Sequence, residues 1–156
     1  MLLVMKMVKQ AVGSNECGLC AVAMLTDRTK EEILADVANP ENPDHVWLNY
    51  MEALGYLLED VRNDPGFDRT FAWRNMFNGY LALPQGNRYY CTVLTAINRA
   101  HAVAIDEFGM VFDPSTGAPM QGSWTLAEYL RCNQQTLGNI SIAYCYRVRR
   151  AANFGS

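Results

Sequence analysis

Between positions 17 and 25 the chain reads CGLCAVAML, a run in which every residue is apolar or small. An ordinary surface helix keeps one apolar stripe for the core and a polar face for water. This run has no polar face, so a helix built on it must be covered on all sides and pass through the middle of a domain. The preceding QAVGSNE, positions 10–16, is a polar loop in which Gly13, Ser14 and Asn15 act as breakers and caps, so the helix starts at Cys17. A helix without a wet face needs enough chain to wrap it. With 156 residues, 50% of them apolar and 19% charged, a single domain over 1–156 meets that need.

The wrapping elements follow from caps and periodicity. Thr29 with Glu32 is a capping box that opens a second helix over KEEILADVA, closed by Asn39 and Pro40. Asp44 is placed to cap a third, running through His45 and Trp47 to Leu54 with Gly55 as its stop. Residues 1–9 suit a short strand or helix. The period then changes: 56–61 reads as extended, 62–78 is ambiguous, and 79–83 opens a run of strands. Segments 89–97, 100–106, 110–113 and 140–148 are rich in Val, Ile, Tyr and Thr and are separated by turn clusters. A helix over 124–131 is opened by Ser123 or Thr125. A helical first half before an antiparallel second half is an α+β layout: N-terminal helices, one of them buried, packed on a C-terminal antiparallel sheet.

Charge and cysteine usage narrow the function. A formal net charge of −3 argues against a nucleic-acid partner bound through a general basic surface. The apolar runs are too short for a membrane span, and the opening MLLVM meets Lys6 and Lys9 at once, so neither a transmembrane helix nor a signal peptide is expected. Five cysteines without an export signal point to a reducing, cytoplasmic setting with free thiols. Cys91, Cys145 and Cys132 read as small buried hydrophobes. His45 reads as a half-buried structural histidine, and the basic RVRRAANF as a solvated tail.

Cys17 and Cys20 remain. Cys17 opens the helix, where unpaired backbone N–H groups and the helix dipole favour a thiolate. His101 supplies a base. If residues 106–108 form a reversal, His101 falls opposite Asp113, Val103 opposite Val111 and Ile105 opposite Gly109, like with like. A carboxylate on one ring nitrogen orients the imidazole and leaves the other nitrogen for a thiol. Asp113 also suits a plain DPSTG turn. Gln10, shortly before the thiol, carries an amide able to donate to an oxyanion. Donor, nucleophile, base and orienter in one chain mean more together than any one alone.

QAVGSNECGLCAVAML, with HAVAI and FDPSTG downstream, resembles the papain-like cysteine peptidase superfamily. Within it the chain is most similar to the bacteriocin-processing, double-glycine-leader peptidases, which carry Gln, a short polar loop, Asp-Cys-Gly opening a helix, then a His strand and an Asp-Pro. The His strand and FDPSTG turn are also similar to those of effector-type papain-like proteases. The resemblance covers most of the chain through four short motifs. It implies a papain-like fold and a cysteine hydrolase that cleaves a peptide, isopeptide or other amide bond. By motif, Cys17 is the nucleophile, His101 the general base, Asp113 the orienter and Gln10 the oxyanion donor. A protein or peptide is the implied substrate, with no metal and no organic cofactor. Glu16 stands where the family has Asp, and the step from Gln10 to Cys17 is longer than usual by one position. A papain-type CGSC segment would select Cys20; Cys17 is preferred because it starts the helix after an acidic residue.

Other readings stay open. Cys17-Gly18-Leu19-Cys20 at a helix start is also a thiol–disulfide oxidoreductase arrangement. A zinc site from Cys17, Cys20, Cys91 or Cys132 would need a second closely spaced ligand pair that the sequence lacks. A catalytically silent binding or inhibitory module would use a surface such as Trp47, Tyr50, Trp73, Phe77 and Tyr80, although aromatics at helical spacing usually belong to the core.

Overall fold

A computed structural model describes residues 4–64, 83–94, 99–115, 124–137 and 141–151. Three helices come first: α1 Cys17–Thr26, α2 Lys30–Asp36 and α3 Asp44–Ala53. Strand β1, Tyr56–Asp60, and a 3-10 turn, Val61–Asn63, follow. Then come β2 Arg88–Leu94, β3 Ala100–Ile105, β4 Met110–Phe112, β5 Trp124–Thr125, α4 Leu126–Leu137 and β6 Ser141–Arg150. The strands form one sheet in the order β1-β6-β2-β3-β4-β5, and each described pairing is antiparallel. The class is α+β, as expected. None of the helices among the described residues is long and apolar enough to cross a membrane.

Strand alternation sends side chains to two opposite faces, and each face has its own core. Ala102, Ala104, Tyr90 and Phe112 pack with Leu19, Val22, Ala23 and Trp47 of the N-terminal helices. Val103, Ile105, Val111, Cys91 and Cys145 pack with Leu126, Tyr129 and Leu130 of α4. Residues 18–26 of α1 are all buried, as a helix without a polar face requires. Burying its C-terminal end leaves carbonyls to satisfy. Arg88 supplies the donors: its Nη1 reaches Met24 O at 3.1 Å and Leu25 O at 3.2 Å, and its guanidinium pairs with Asp27 and Glu107. Gly18 permits the tightest contact of α1. A Cβ there would lie 2.3 Å from Cδ1 of Trp47 and 2.6 Å from its Nε1.

The expected capping box forms. Thr29 Oγ1 accepts from Glu32 N while Glu32 accepts from Thr29 N. Thr125 and Glu128 do the same at the start of α4. Elsewhere the structure departs from expectation. Residues 4–16 form neither strand nor helix. Asp44 is not the cap of α3 but its first residue, after Pro43, because two hydroxyls of β2 take its carboxylate. RVRR is no free tail: it completes β6, where Arg147 to Arg150 pair with β1. Cys132 and His45 are exposed, not buried or half-buried, whereas Cys91 and Cys145 are buried as expected. Trp47 and Tyr50 belong to the core. Trp73, Phe77 and Tyr80, the ambiguous stretch 65–78, most of the strand expected over 79–83, the tail of the one expected to 97, and Ser123 lie outside the described residues.

The β3–β4 hairpin is shifted by two positions from its expected register. Ile105 pairs with Val111 and Ala104 with Phe112. The turn is one residue longer than expected, with Gly109 at φ 81° and its N–H on Asp106 O at 3.0 Å. Asp106 Oδ1 accepts from Phe108 N at 3.0 Å and from Met110 N at 2.9 Å, which closes this wider turn. An even shift returns every side chain to its intended face. His101 therefore does not pair with Asp113 in the ladder, because β4 ends at Phe112 and Asp113 lies just beyond it.

Candidate active site

The loop before Cys17 is held by its own polar groups. Glu16 Oε1 accepts from Ala11 N at 3.0 Å and from Lys30 Nζ at 3.2 Å. Ser14 N returns to Ala11 O at 3.1 Å, Gly13 takes φ 75°, and Glu16 O receives Cys20 N at 2.9 Å as the first bond of α1. Glu16 is the N-cap residue, with no side-chain bond to the helix. The thiol of Cys17 is left at the mouth of α1, near the His101 imidazole and the Ala102 N–H, both of which favour its thiolate. Burial pushes this thiol up, and the His101 bond, the Ala102 N–H and the imidazolium charge together outweigh it, so its pKa is lowered.

His101 Nε2 lies 2.7 Å from Asp113 Oδ1 and 3.1 Å from Ser115 Oγ. With Nε2 so engaged, Nδ1 is the ring nitrogen that serves Cys17. Burial lowers the imidazole pKa, but its bonds to Asp113 and Cys17 prevail and raise it to about 10. Asp113 is 6% exposed. Burial alone would raise its pKa; His101, Ser115 N and the Tyr129 hydroxyl instead hold it well below the usual carboxylate range. Ser115 N donates to Oδ1 at 2.9 Å, and Tyr129 donates to Oδ2 at 2.7 Å. The arrangement sets a thiol whose ionisation is favoured beside an imidazole backed by a fixed carboxylate, which can deliver a nucleophile and then a proton.

Three of the four expected residues are thus brought together: His101 is hydrogen-bonded to Asp113, and its imidazole is close enough to Cys17 to favour the thiolate. Gln10 sits against the same turn, with its N–H on Pro114 O at 3.0 Å, while Lys9 Nζ holds Ser115 O at 2.7 Å and Asp113 O at 3.3 Å. Its side-chain Nε2 donates to Ser14 O at 2.9 Å, and its Oε1 is buried without a partner among the described residues. No described hydrogen bond joins that amide to Cys17. Cys20 is 0% exposed, and burial pushes its thiol up to about 12, which removes it from the site. Among the described residues no group of His, Cys, Asp or Glu is placed to hold a metal ion.

Tyr129 and Ser115 are not expected in the site from the sequence, and Asp44 is expected only as a helix cap. Tyr129 and Ser115 bear on the site only through folding, although Ser115 follows Asp113 by two positions in DPSTG. Asp44 Oδ1 accepts from the Tyr90 hydroxyl at 2.5 Å and Oδ2 from Thr92 Oγ1 at 3.0 Å. Its charge opposes ionisation of Cys17. Compared with known proteins, the chain matches no family model and no curated protein.

Proposed function

We propose that this chain is a single-domain, papain-like cysteine hydrolase that cleaves a peptide, isopeptide or other amide bond. The observation that carries the reading is the His101–Asp113 pair, 2.7 Å apart, with the His101 imidazole near enough to the Cys17 thiol to favour its ionisation. The motif resemblance to double-glycine-leader peptidases supplies the family reading. Cys17 attacks the carbonyl as the thiolate, forming a tetrahedral intermediate whose oxyanion the Cys17 N–H and the Gln10 amide stabilise. The imidazolium of His101 gives its Nδ1 proton to the leaving nitrogen, the C–N bond breaks, and a thioester remains. Water, losing a proton to His101, then releases the acid. For Gln10 to serve, its amide must offer the proton not committed to Ser14.

The test is site-resolved alkylation by iodoacetamide from acidic to alkaline pH, on wild type, Cys17→Ala and His101→Ala. Expected is labelling of Cys17 well below the pH at which a free thiol reacts, lost without His101. A Cys17 that reacts no faster than an ordinary cysteine overturns the reading in favour of a catalytically silent binding module. Cys17 and Cys20 cycling as a disulfide would instead favour the oxidoreductase.

A further inference from the structure

Asp44 stands one strand away from the proposed nucleophile. The Cys17 thiol lies near the Ala102 N–H on β3, which favours its thiolate, Ala102 pairs with Thr92 on β2, and Thr92 holds the Asp44 carboxylate. Directly paired residues of an antiparallel sheet lie about 5 Å apart with side chains on one face. Thiol and carboxylate are therefore neighbours on the α1 face of the sheet. The row continues onto β6, where Thr92 pairs with Tyr144 and Tyr90 with Tyr146. Tyr144 is 46% exposed, and the two β6 rings stack with centroids 6.3 Å apart at 21°.

Asp44 is half-buried and has no cationic partner among the described residues. The hydroxyls of Tyr90 and Thr92 fix its orientation and leave about two of its roughly four acceptor sites open. Arg62 faces the tyrosine pair, but its own charge is taken up by Asp60 at 2.7 Å. The negative charge works against the nucleophile, so its fixed position beside the thiol is not explained by activating Cys17. A carboxylate next to one exposed and one half-buried aromatic ring suits an ammonium or guanidinium group.

We propose that Asp44, with the Tyr144–Tyr146 pair beyond it, forms a subsite that takes a cationic group of the substrate, a Lys or Arg side chain or an amine, beside the bond that Cys17 attacks. The subsite rests on the reading of Cys17 as the nucleophile. Its test uses three methanethiosulfonates on the full chain: cationic trimethylammonioethyl, neutral methyl and anionic sulfonatoethyl. In each, the thiolate attacks the sulfenyl sulfur, a disulfide forms and methanesulfinate leaves. Rates at Cys17 are read by peptide mass and divided by those of a free thiol.

Wild type is expected to favour the cationic over the anionic reagent by about tenfold, an interaction of unlike charges at the protein surface. Added salt should reduce that ratio in wild type. Asp44→Asn should bring it close to one, and Tyr144→Ala should lower it in part. Brisk reaction with the neutral reagent but no charge preference overturns the subsite alone, as does a preference that survives in Asp44→Asn. Slow reaction with all three reagents overturns the nucleophile reading and the subsite with it.

Discussion

Tyr129 and His101 hold opposite oxygens of one carboxylate: the phenol donates to Asp113 Oδ2 and the imidazole meets Oδ1, each at 2.7 Å. The phenol comes from α4 and the thiol that His101 serves comes from α1, on the other face of the sheet. Asp113 therefore ties the two cores together just past the end of β4. Tyr129→Phe removes one of its donors without opening a cavity. A buried hydrogen bond to a charged group contributes about 1.5–3 kcal/mol, so a loss of that order is expected in urea unfolding, together with a shift of Cys17 alkylation to higher pH. Unchanged stability and a superimposable alkylation profile would refute this role.

Ionisation of the pair sets a pH dependence. His101 is raised from its ordinary 6.5 to about 10, so the stability it contributes is whole below pH 6.5 and is lost as pH rises through about 10. Asp113 is held below its ordinary 3.8, so its contribution is present above that value and is lost as pH falls. The stability gap between wild type and His101→Ala should narrow as pH rises across the first window. A gap that stays constant there, measured by urea unfolding, contradicts the ion pair.

Gly18→Ala tests how tightly α1 is seated. Its new Cβ would meet the Trp47 indole at 2.3 Å, and the Nε1 of that ring is tied to Asn42 O at 2.9 Å, so the ring cannot swing away freely. Overpacking of this kind costs about 1–3 kcal/mol. Displacing α1 also moves Cys17 from His101, so both the melting temperature and Cys17 labelling at neutral pH should fall. Retention of both would show that the contact yields.

Cys20→Ala separates the two thiols. Cys20 is fully buried, so the variant should lose about 1–2 kcal/mol through packing and keep rapid alkylation of Cys17. In wild type, Cys17 and the exposed Cys132 should label while Cys20 stays protected. Labelling of Cys20 in the native protein is the outcome that defeats this assignment.

The elements that local chemistry controls were legible. CGLCAVAML has no polar face and so specifies the buried helix, and Thr29 with Glu32 starts a helix through bonds spanning three residues. Alternation along AHAVAI and MVF put His101 and Asp113 on one side, and because it has period two, a two-residue error in register left that conclusion intact. The sequence alone thus determined an α+β chain with a thiol at the mouth of a buried helix and with an imidazole and a carboxylate within reach of each other. Only the tertiary structure decided what surrounds them. Asp44 meets Tyr90 and Thr92 across 46 and 48 residues, Arg88 reaches the carbonyls of α1 from 63 and 64 residues away, and Arg149 and Arg150 extend the expected strand where β1 lies beside them. Such contacts leave no periodic trace, because a side chain's polar partner depends on which distant backbone the fold brings alongside it.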